Sequence, residues 1–221
     1  IVGSTAHSLI NFRYDLIKLL KKKYTVITLS QDYNRNIHRI LTKLKIEYIS
    51  YGATGTSLVN EILSLFRIIK LLNFNQSFKV ISFTLRANVF VGLASLINKN
   101  IKHYPMITGL GGVFLSKNEN LFRYLFYKIF VYLIKFSLLP AKKIIFQNKS
   151  DKEFFKRVII NKKSVIIPGS GVNHKYYKLS TFPKKTTFMM ISRFIKNKGI
   201  ENFFSLSKKL KKNKNLRFIL V

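Results

Sequence analysis

The 221-residue sequence predicts an α/β fold: a doubly wound parallel sheet followed by the first β-α-β of a second α/β domain. Three observations carry this. Short, β-branched apolar runs alternate with longer segments of helical period, the pattern of a parallel sheet with crossover helices. Residues 169–185 are polar, punctuated by Gly and Pro, and have neither period, which reads as a break between domains. A lone strand-helix-strand pattern follows the break, whereas a free-standing doubly wound sheet needs about five or six strands.

In chain order, apolar β-branched runs place strands at 1–4, 24–30, 46–51, 79–84, 104–108, 142–148 and 164–168. Between them, helical periodicity places helices at 11–22, 34–44, 57–72, 87–97, 120–139 and 150–158. After the break come a strand at 186–191, a helix at 199–210 and a strand at 216–221. The domains are therefore expected at 1–172 and 186–221, joined by a linker at 173–185. The chain opens on Ile-Val-Gly-Ser without an initiator Met or a charged region ahead of an apolar core, so no signal peptide is expected in these residues. It closes on Leu216-Arg-Phe-Ile-Leu-Val221, a strand without a following turn, so the expectation is of a sequence incomplete at both ends.

A hydrophobic content of 48% suffices for one substantial core, or for one core and part of a second. The absence of cysteine excludes disulfides and thiolate metal sites, and the four histidines (His7, His38, His103, His174) are too scattered for a zinc cluster. A metal-free protein of a reducing compartment is expected. Forty Lys and Arg against eight Asp and Glu give +32, which attracts polyanions such as nucleic acid, anionic lipid or phosphorylated substrates. Part of this charge reads as a compositional bias, since Lys, Asn, Ile and Phe are all abundant. Residues 121–140 approach the roughly 20 apolar residues of a membrane span. Against a span stand Arg123, Lys128 and Lys135, because a charge near a helix centre costs about 2.5–3.5 kcal/mol. A buried core helix is the first expectation and an interfacial amphipathic helix the second.

Open α/β sheets bind ligands at the carboxyl ends of their strands, where several polar segments fall. The first strand ends in Gly3-Ser4-Thr5-Ala6 and leads to Asn11-Phe12-Arg13 at an expected helix start, a place that favours an anion. The fourth ends in Thr84-Leu85-Arg86-Ala87-Asn88, a cation with two hydrogen-bonding side chains. The fifth ends in Thr108-Gly109-Leu110-Gly111-Gly112, which can form an anion-binding nest or a plain tight turn, and matches neither a Walker A loop nor a dinucleotide fingerprint. The sixth ends in Gln147-Asn148-Lys149-Ser150-Asp151, where Asn148 or Ser150 can cap the following helix, Ser150 being preferred for that role. In the second domain, Arg193 and Lys198 flank a strand-to-helix turn, a spacing that can bring both cations to one diphosphate.

In this order, Asn11-Phe-Arg13, Thr84-x-Arg86-x-Asn88, Ile107-Thr-Gly-Leu-Gly-Gly-Val-Phe114, Phe146-Gln-Asn-x-x-Asp151, Ile167-Pro-Gly-Ser-Gly-Val172 and Ser192-Arg-x4-Lys-Gly199 resemble the family-4 glycosyltransferases. The resemblance covers the whole chain. It is strongest to the PglA-like N-acetylgalactosaminyltransferases and related galactosyltransferases that extend lipid-linked sugars for bacterial capsule, O-antigen or glycoprotein glycans. It implies the GT-B fold, two Rossmann-like domains facing across a cleft, the C-terminal one holding a nucleotide-sugar. It further implies transfer of a hexose or N-acetylhexosamine to a sugar hydroxyl with retention of configuration.

In that resemblance Arg193 and Lys198 stabilise the leaving diphosphate, and Gly3, Ser4, Gly109, Gly111, Gly112 and Gly199 join them around the donor. Asn11, Arg13, Thr84, Arg86, Asn88 and Asn148 fall on the acceptor side. No metal or other cofactor is implied. The implied partners are a nucleotide-sugar donor, with uridine diphosphate as its carrier, a lipid-linked oligosaccharide acceptor and an anionic membrane surface, and the implied place is cytoplasmic, peripheral on the inner face of the membrane. Departures from the pattern are Arg86-Ala87 where Lys-Pro is usual and Asn173 where Asp is usual. The acidic motif that holds the donor ribose and sugar is expected beyond Val221, so residues 1–221 alone are expected to have little or no activity.

Two other readings stay open. A non-catalytic remnant of such an enzyme has the same sequence features. A nucleic-acid-binding module draws support from +32 and 14% aromatic residues. Against it, the charge is spread along the whole chain and no helix-turn-helix, zinc-finger or RRM-type pattern is present, so no nucleic-acid partner is expected.

Overall fold

In the computed structural model the described residues are 1–52, 57–72, 77–109, 121–156, 163–175, 177, 179, 181–192, 194 and 198–221. The first elements are α1 (Ala6–Lys21), β1 (Ile27–Ser30), α2 (Arg35–Lys43), β2 (Glu47–Ser50), α3 (Leu58–Leu71) and β3 (Phe78–Phe83). They are followed by α4 (Leu85–Ile97), β4 (Ile101–Ile107), α5 (Leu121–Leu138), β5 (Ile144–Phe146), α6 (Lys149–Lys156) and β6 (Ser164–Ile166). A second compact unit, Val172–Val221, holds β7 (Thr186–Met190), α7 (Ile200–Lys209) and β8 (Leu216–Leu220), the first unit being Ile1–Gly171.

All strand pairs among the described residues are parallel. In the first unit β1 pairs with β2, and β3 through β6 pair in sequence order. Val2 joins these two groups, bridging Leu29 of β1 on one side and Ser82 of β3 on the other. The hydrogen bonds run both ways: Leu29 N–H donates to Ile1 O and Gly3 N–H to Leu29 O, while Val2 N–H donates to Ile81 O and Phe83 N–H to Val2 O. The spatial order is therefore β2-β1-Val2-β3-β4-β5-β6. The strand expected over 1–4 contracts to this bridge because the chain turns at Ser4 into α1.

Helix α1 starts at Ala6, five residues before the expected start at Asn11. Thr5 has extended backbone geometry and its hydroxyl accepts from Ser8 N–H at 3.3 Å, an N-cap. α1 and α2 cover one face of the sheet, burying Leu9, Ile17, Ile37 and Leu41 with Tyr48, Phe83 and Met106. The core on the other face gathers Ile68 of α3, Val89, Phe90 and Val91 of α4, and Ile134 and Leu138 of α5. α4 is buried almost all round, from Ala87 through Gly92 and again at Ala94 and Ser95, as an apolar helix without a solvent stripe must be.

The excess lysine is distributed in part by helix polarity. The last turns of α1, α2, α3, α5, α6 and α7 all carry Lys, whereas Glu61, Asp151 and Glu201 lie in first turns. Both placements complement the partial charges of the helix ends. In the second unit β7 and β8 are joined by α7, and Phe218 stacks on Phe188 with ring centroids 5.1 Å apart while meeting Phe203 edge-on at 5.7 Å.

Close approach of α4 to α5 depends on Gly92, where an added Cβ would lie 2.0 Å from the carbonyl oxygen of Ser137. Alanine gains about 0.8–1 kcal/mol of helix propensity over glycine, but here a backbone atom must move to admit it. Gly92→Ala is therefore expected to destabilise the protein by about 1–3 kcal/mol, the cost of overpacking. The measurement is urea unfolding, which should show a lower midpoint at an unchanged slope.

Candidate functional site

The chain leaves the centre of the sheet in two directions, through β1 and β2 on one side and β3 to β6 on the other. The carboxyl ends flanking that divergence form the crevice where open α/β sheets take ligands. Gly3-Ser4-Thr5 and Thr84-Leu85-Arg86 meet there, and the hydroxyls of Ser4 and Thr84 share a hydrogen bond. Thr84 holds φ 75° and ψ 146° at the N-cap of α4 without giving a capping bond. A β-branched residue at positive φ costs of order 1–3 kcal/mol, a strain that concentrates at binding and catalytic sites. The close approach at Gly3 is made by the protein itself, because a Cβ there would lie 2.6 Å from Cζ of Phe83.

Arg86 reaches over this crevice from the first turn of α4. Its Nη1 donates to Gln31 Oε1 at 2.6 Å, and its Nη2 lies 3.4 Å from Glu61 Oε1, in ion-pair range without hydrogen-bond geometry. Beside it, buried Tyr51 donates its hydroxyl to Gly3 O at 2.9 Å. Burial raises the Tyr51 pKa first, with Glu61 and Asp32 adding to the rise and Arg86 opposing it, so the hydroxyl stays protonated. Gln31, Asp32, Tyr51 and Glu61 escaped the sequence reading. Gln31 and Asp32 follow the carboxyl end of β1 and were open to the same rule that selected Thr84 and Arg86. Tyr51 and Glu61 are brought in only by tertiary packing.

The N-terminus of α1 already has its anion. Asp32 accepts from Ala6 N–H at 2.6 Å, so the charge expected at this helix start comes from the chain. Asn11 and Arg13 lie within α1, Asn11 exposed and Arg13 only 5% exposed. The Arg13 guanidinium stacks 4.8 Å from the Phe83 ring centroid. Its Nη1 donates to Phe12 O at 2.9 Å and to Ser170 Oγ at 2.5 Å, and its Nη2 points to Met106 Sδ at 3.2 Å. Nε has no partner among the described residues, and burial lowers the pKa of the group from its ordinary value.

Asn88 lies in the core rather than on the rim. Its Nδ2 donates to Met106 O at 3.0 Å, and its Oδ1 accepts from Ser82 Oγ at 2.7 Å. Ser82 Oγ also lies 2.7 Å from His103 Nε2. With the single hydroxyl proton directed at Asn88, His103 must donate from Nε2, which leaves Nδ1 as a bare, unpartnered acceptor. Asn148 is held locally too: its Oδ1 accepts from Asp151 N–H at 2.7 Å and its Nδ2 donates to Asp151 Oδ2 at 2.9 Å. It caps α6, the role expected of Ser150, because the helix begins at Lys149.

Gly109 closes β4 at φ 145°, with open space where a Cβ would be. Gly111, Gly112 and Arg193 lie outside the described residues. In the second unit, Gly199 adopts φ 76° at the N-cap of α7, and exposed Lys198 precedes it. Positive φ explains glycine at this cap. The first unit thus gathers Gly3, Ser4, Thr84 and Arg86 at one crevice. It places Arg13 beneath the carboxyl ends of β3 and β4, and holds Asn88 and Asn148 by internal hydrogen bonds.

No family model matches the chain. Over 244 residues it is 25% identical to the N,N'-diacetylbacillosaminyl-diphospho-undecaprenol alpha-1,3-N-acetylgalactosaminyltransferase of Campylobacter jejuni, an alignment that takes in 100% of this chain. The chain spans 62% of the length of that relative. Among solved structures it is similar to Anabaena HepE in complex with UDP and glucose, with a TM-score of 0.61 at 10% identity, covering 100% of this chain and 68% of the other. It is likewise similar to the glycotransferase of kitacinnamycin (TM-score 0.57, 11% identity, 99% and 64% coverage) and to Acinetobacter baumannii MurG (0.50, 12%, 99% and 57%). The fold is accordingly of the GT-B type.

Burial pushes the pKa of His103 down to about 3. Between the unfolded value near 6.5 and this one, the unfolded chain binds a proton that the native state refuses, so stability falls as pH drops through that window. His103→Gln should remove this component. Denaturation midpoints followed from pH 7 to pH 4 are expected to decline more steeply in the parent than in the variant.

Proposed function

We propose that the chain is the acceptor-side domain, with the opening of the donor-binding domain, of a retaining family-4 glycosyltransferase. It moves a hexose or N-acetylhexosamine from a UDP-sugar to a lipid-linked sugar in bacterial surface-glycan assembly. The observation that carries this reading is the similarity along the whole chain to an enzyme whose name specifies an undecaprenyl-diphosphate-linked acceptor. The crevice formed by Ser4, Thr84 and Arg86 supports it, as a polar rim at the place where the fold takes ligands.

In this reading Arg193 and Lys198 take up the negative charge that grows on the leaving diphosphate as its bond to the anomeric carbon breaks. Fixed cations at a helix N-terminus do this without reorganising during the reaction. The resemblance assigns Gly3, Ser4, Gly109, Gly111, Gly112 and Gly199 to the donor, and Asn11, Thr84 and Arg86 to the acceptor. The nucleotide-sugar is a substrate and no metal is required.

The reading also places the protein on the inner face of the cytoplasmic membrane. No helix among the described residues is long and apolar enough to cross a membrane. α5 is nevertheless amphipathic in an unusual sense: Ile134, Ser137 and Leu138 are buried, while Leu125, Ile129, Tyr132 and Phe136 are exposed in a row at helical spacing. α3 adds a second exposed row, Val59, Ile62, Leu63 and Phe66. Apolar rows beside Lys128 and Lys135 suit an interfacial surface.

Transfer from a panel of UDP-sugars to lipid-diphosphate-linked acceptors, assayed on the full-length gene product, tests the central reading, and a protein inert across the panel would favour the non-catalytic remnant. Within that assay, Arg193→Ala or Lys198→Ala is expected to lower turnover by about 10²–10³, as loss of one oxyanion donor does. Near-parental rates in both variants would put the diphosphate elsewhere. For the membrane surface, each basic residue near an anionic leaflet contributes about 1 kcal/mol within a Debye length of roughly 8 Å. The protein should therefore float with anionic vesicles at low salt, be released at high salt without detergent, and float less after Ile129→Glu. Failure to float with anionic vesicles at low salt would defeat the membrane placement.

A further inference from the structure

An arginine buried without a counterion is costly, because a desolvated charge needs an opposite charge or a full set of hydrogen-bond acceptors. Arg13 has neither among the described residues. It is 5% exposed, no carboxylate pairs with it there, its Nε is unpartnered, and Nη2 has only a thioether sulfur to point at. Structural arginines of this depth are held by acids, and the eight acidic residues of the chain leave few to spare. The neighbours of Arg13 come from the ends of three strands: Phe83 closes β3, Met106 lies near the end of β4, and Ser170 follows β6. Ser170 is exposed and stands between Gly169 and Gly171, which have φ 65° and 69° and no atom within 4 Å of a built Cβ. Its hydroxyl is the only side-chain oxygen on the guanidinium among the described residues, and it sits on a segment with room to move.

We propose that Arg13 is an anion subsite of the first unit, whose guanidinium binds a phosphate-class group in place of the Ser170 hydroxyl. A planar guanidinium offers parallel donors to two phosphate oxygens, and the bond is charge-assisted in a place that excludes water. The phosphate has two possible sources, the diphosphate of a lipid-linked acceptor or that of the nucleotide donor. Only this choice of source rests on the transferase reading.

The experiment is isothermal titration of the full chain, at physiological salt, with inorganic pyrophosphate, with a short prenyl diphosphate and with UDP. Arg13→Met removes the charge at similar volume, and Lys23→Met removes one charge near the opposite end of α1 as a control for diffuse attraction. Loss of a charge-assisted bond should weaken pyrophosphate binding by about tenfold or more in Arg13→Met. Lys23→Met should leave it unchanged. The melting temperature of Arg13→Met should hold or rise, since replacing an uncompensated buried ion with an apolar side chain is often neutral or stabilising. Weakening confined to the prenyl diphosphate and pyrophosphate assigns the acceptor as the source, and weakening toward UDP assigns the donor.

Pyrophosphate affinity in Arg13→Met equal to that of the parent, or reduced equally by Lys23→Met, overturns the subsite. Should Arg13→Met fail to fold, Arg13→Lys keeps the charge and loses the fork, and a pyrophosphate affinity equal to the parent's overturns the subsite in the same way. An inert transfer assay with Arg13-dependent pyrophosphate binding intact would sink the functional reading and leave the subsite. Active transfer with Arg13-independent binding would do the reverse.

Discussion

The first unit depends on one short segment held from both sides. Ile1, Val2 and Gly3 exchange hydrogen bonds with Leu29 of β1 and with Ile81 and Phe83 of β3. Without that bridge there are two separate sheets, β1-β2 and β3 to β6. With it there is one surface, and a line along which the chain diverges. The crevice exists because of the divergence, and Ser4 and Thr84 meet across it because the bridge sets their strands in register. The same constraint explains Gly3, which passes so close to the Phe83 ring that an added Cβ would force the ring to shift.

Much of the polar chemistry near this line is internal. Asp32 satisfies the start of α1, Asn148 and Asp151 satisfy the start of α6, and Ser82, Asn88 and His103 close on one another within the core. Chains of this kind fix a backbone more firmly than apolar packing alone, since each member left unpaired carries a desolvation cost. Against that background Arg13 and Arg86 differ in kind. Arg86 has an acid and an amide to hold it at the surface, while Arg13 is deep and held by little.

The order of elements was legible because a parallel sheet writes itself as apolar runs separated by helical periods. Every observed strand of four residues or more falls at an expected position, with ends shifted by up to three residues, so periodicity carries the parallel α/β sheet, while the GT-B type came from the motif resemblance. The differences at Asn88 and Glu61 share a cause, which is tertiary packing. The start of α1 lies five residues before Asn11: the Thr5 cap is a local signal, but the Asp32 carboxylate that completes this helix end comes from 26 residues away, where no local pattern connects it. Asn88 looked like a rim residue from its position after β3, but its partners, Ser82 and Met106, come from two strands. Glu61 is illegible for the same reason, since its value lies in where Arg86 ends up, whereas Gln31 directly follows the carboxyl end of β1 and is within reach of the strand-end rule. Local motifs show which end of the sheet matters, and long-range hydrogen bonds decide which side chains there remain free.

The exposed row on α5 has a colloidal consequence. A surface that presents Leu125, Ile129, Tyr132 and Phe136 to water would bring molecules together, and in dilute buffer the +32 net charge keeps them apart. That repulsion is only as long as the screening length, which shrinks to roughly 3 Å in molar salt. Salt would therefore act in opposite senses on the two proposed behaviours: it would loosen the hold of an anionic surface while lowering the barrier to association. Salt high enough to release the proposed polyanion contact would thus also weaken the repulsion that keeps these exposed rows apart.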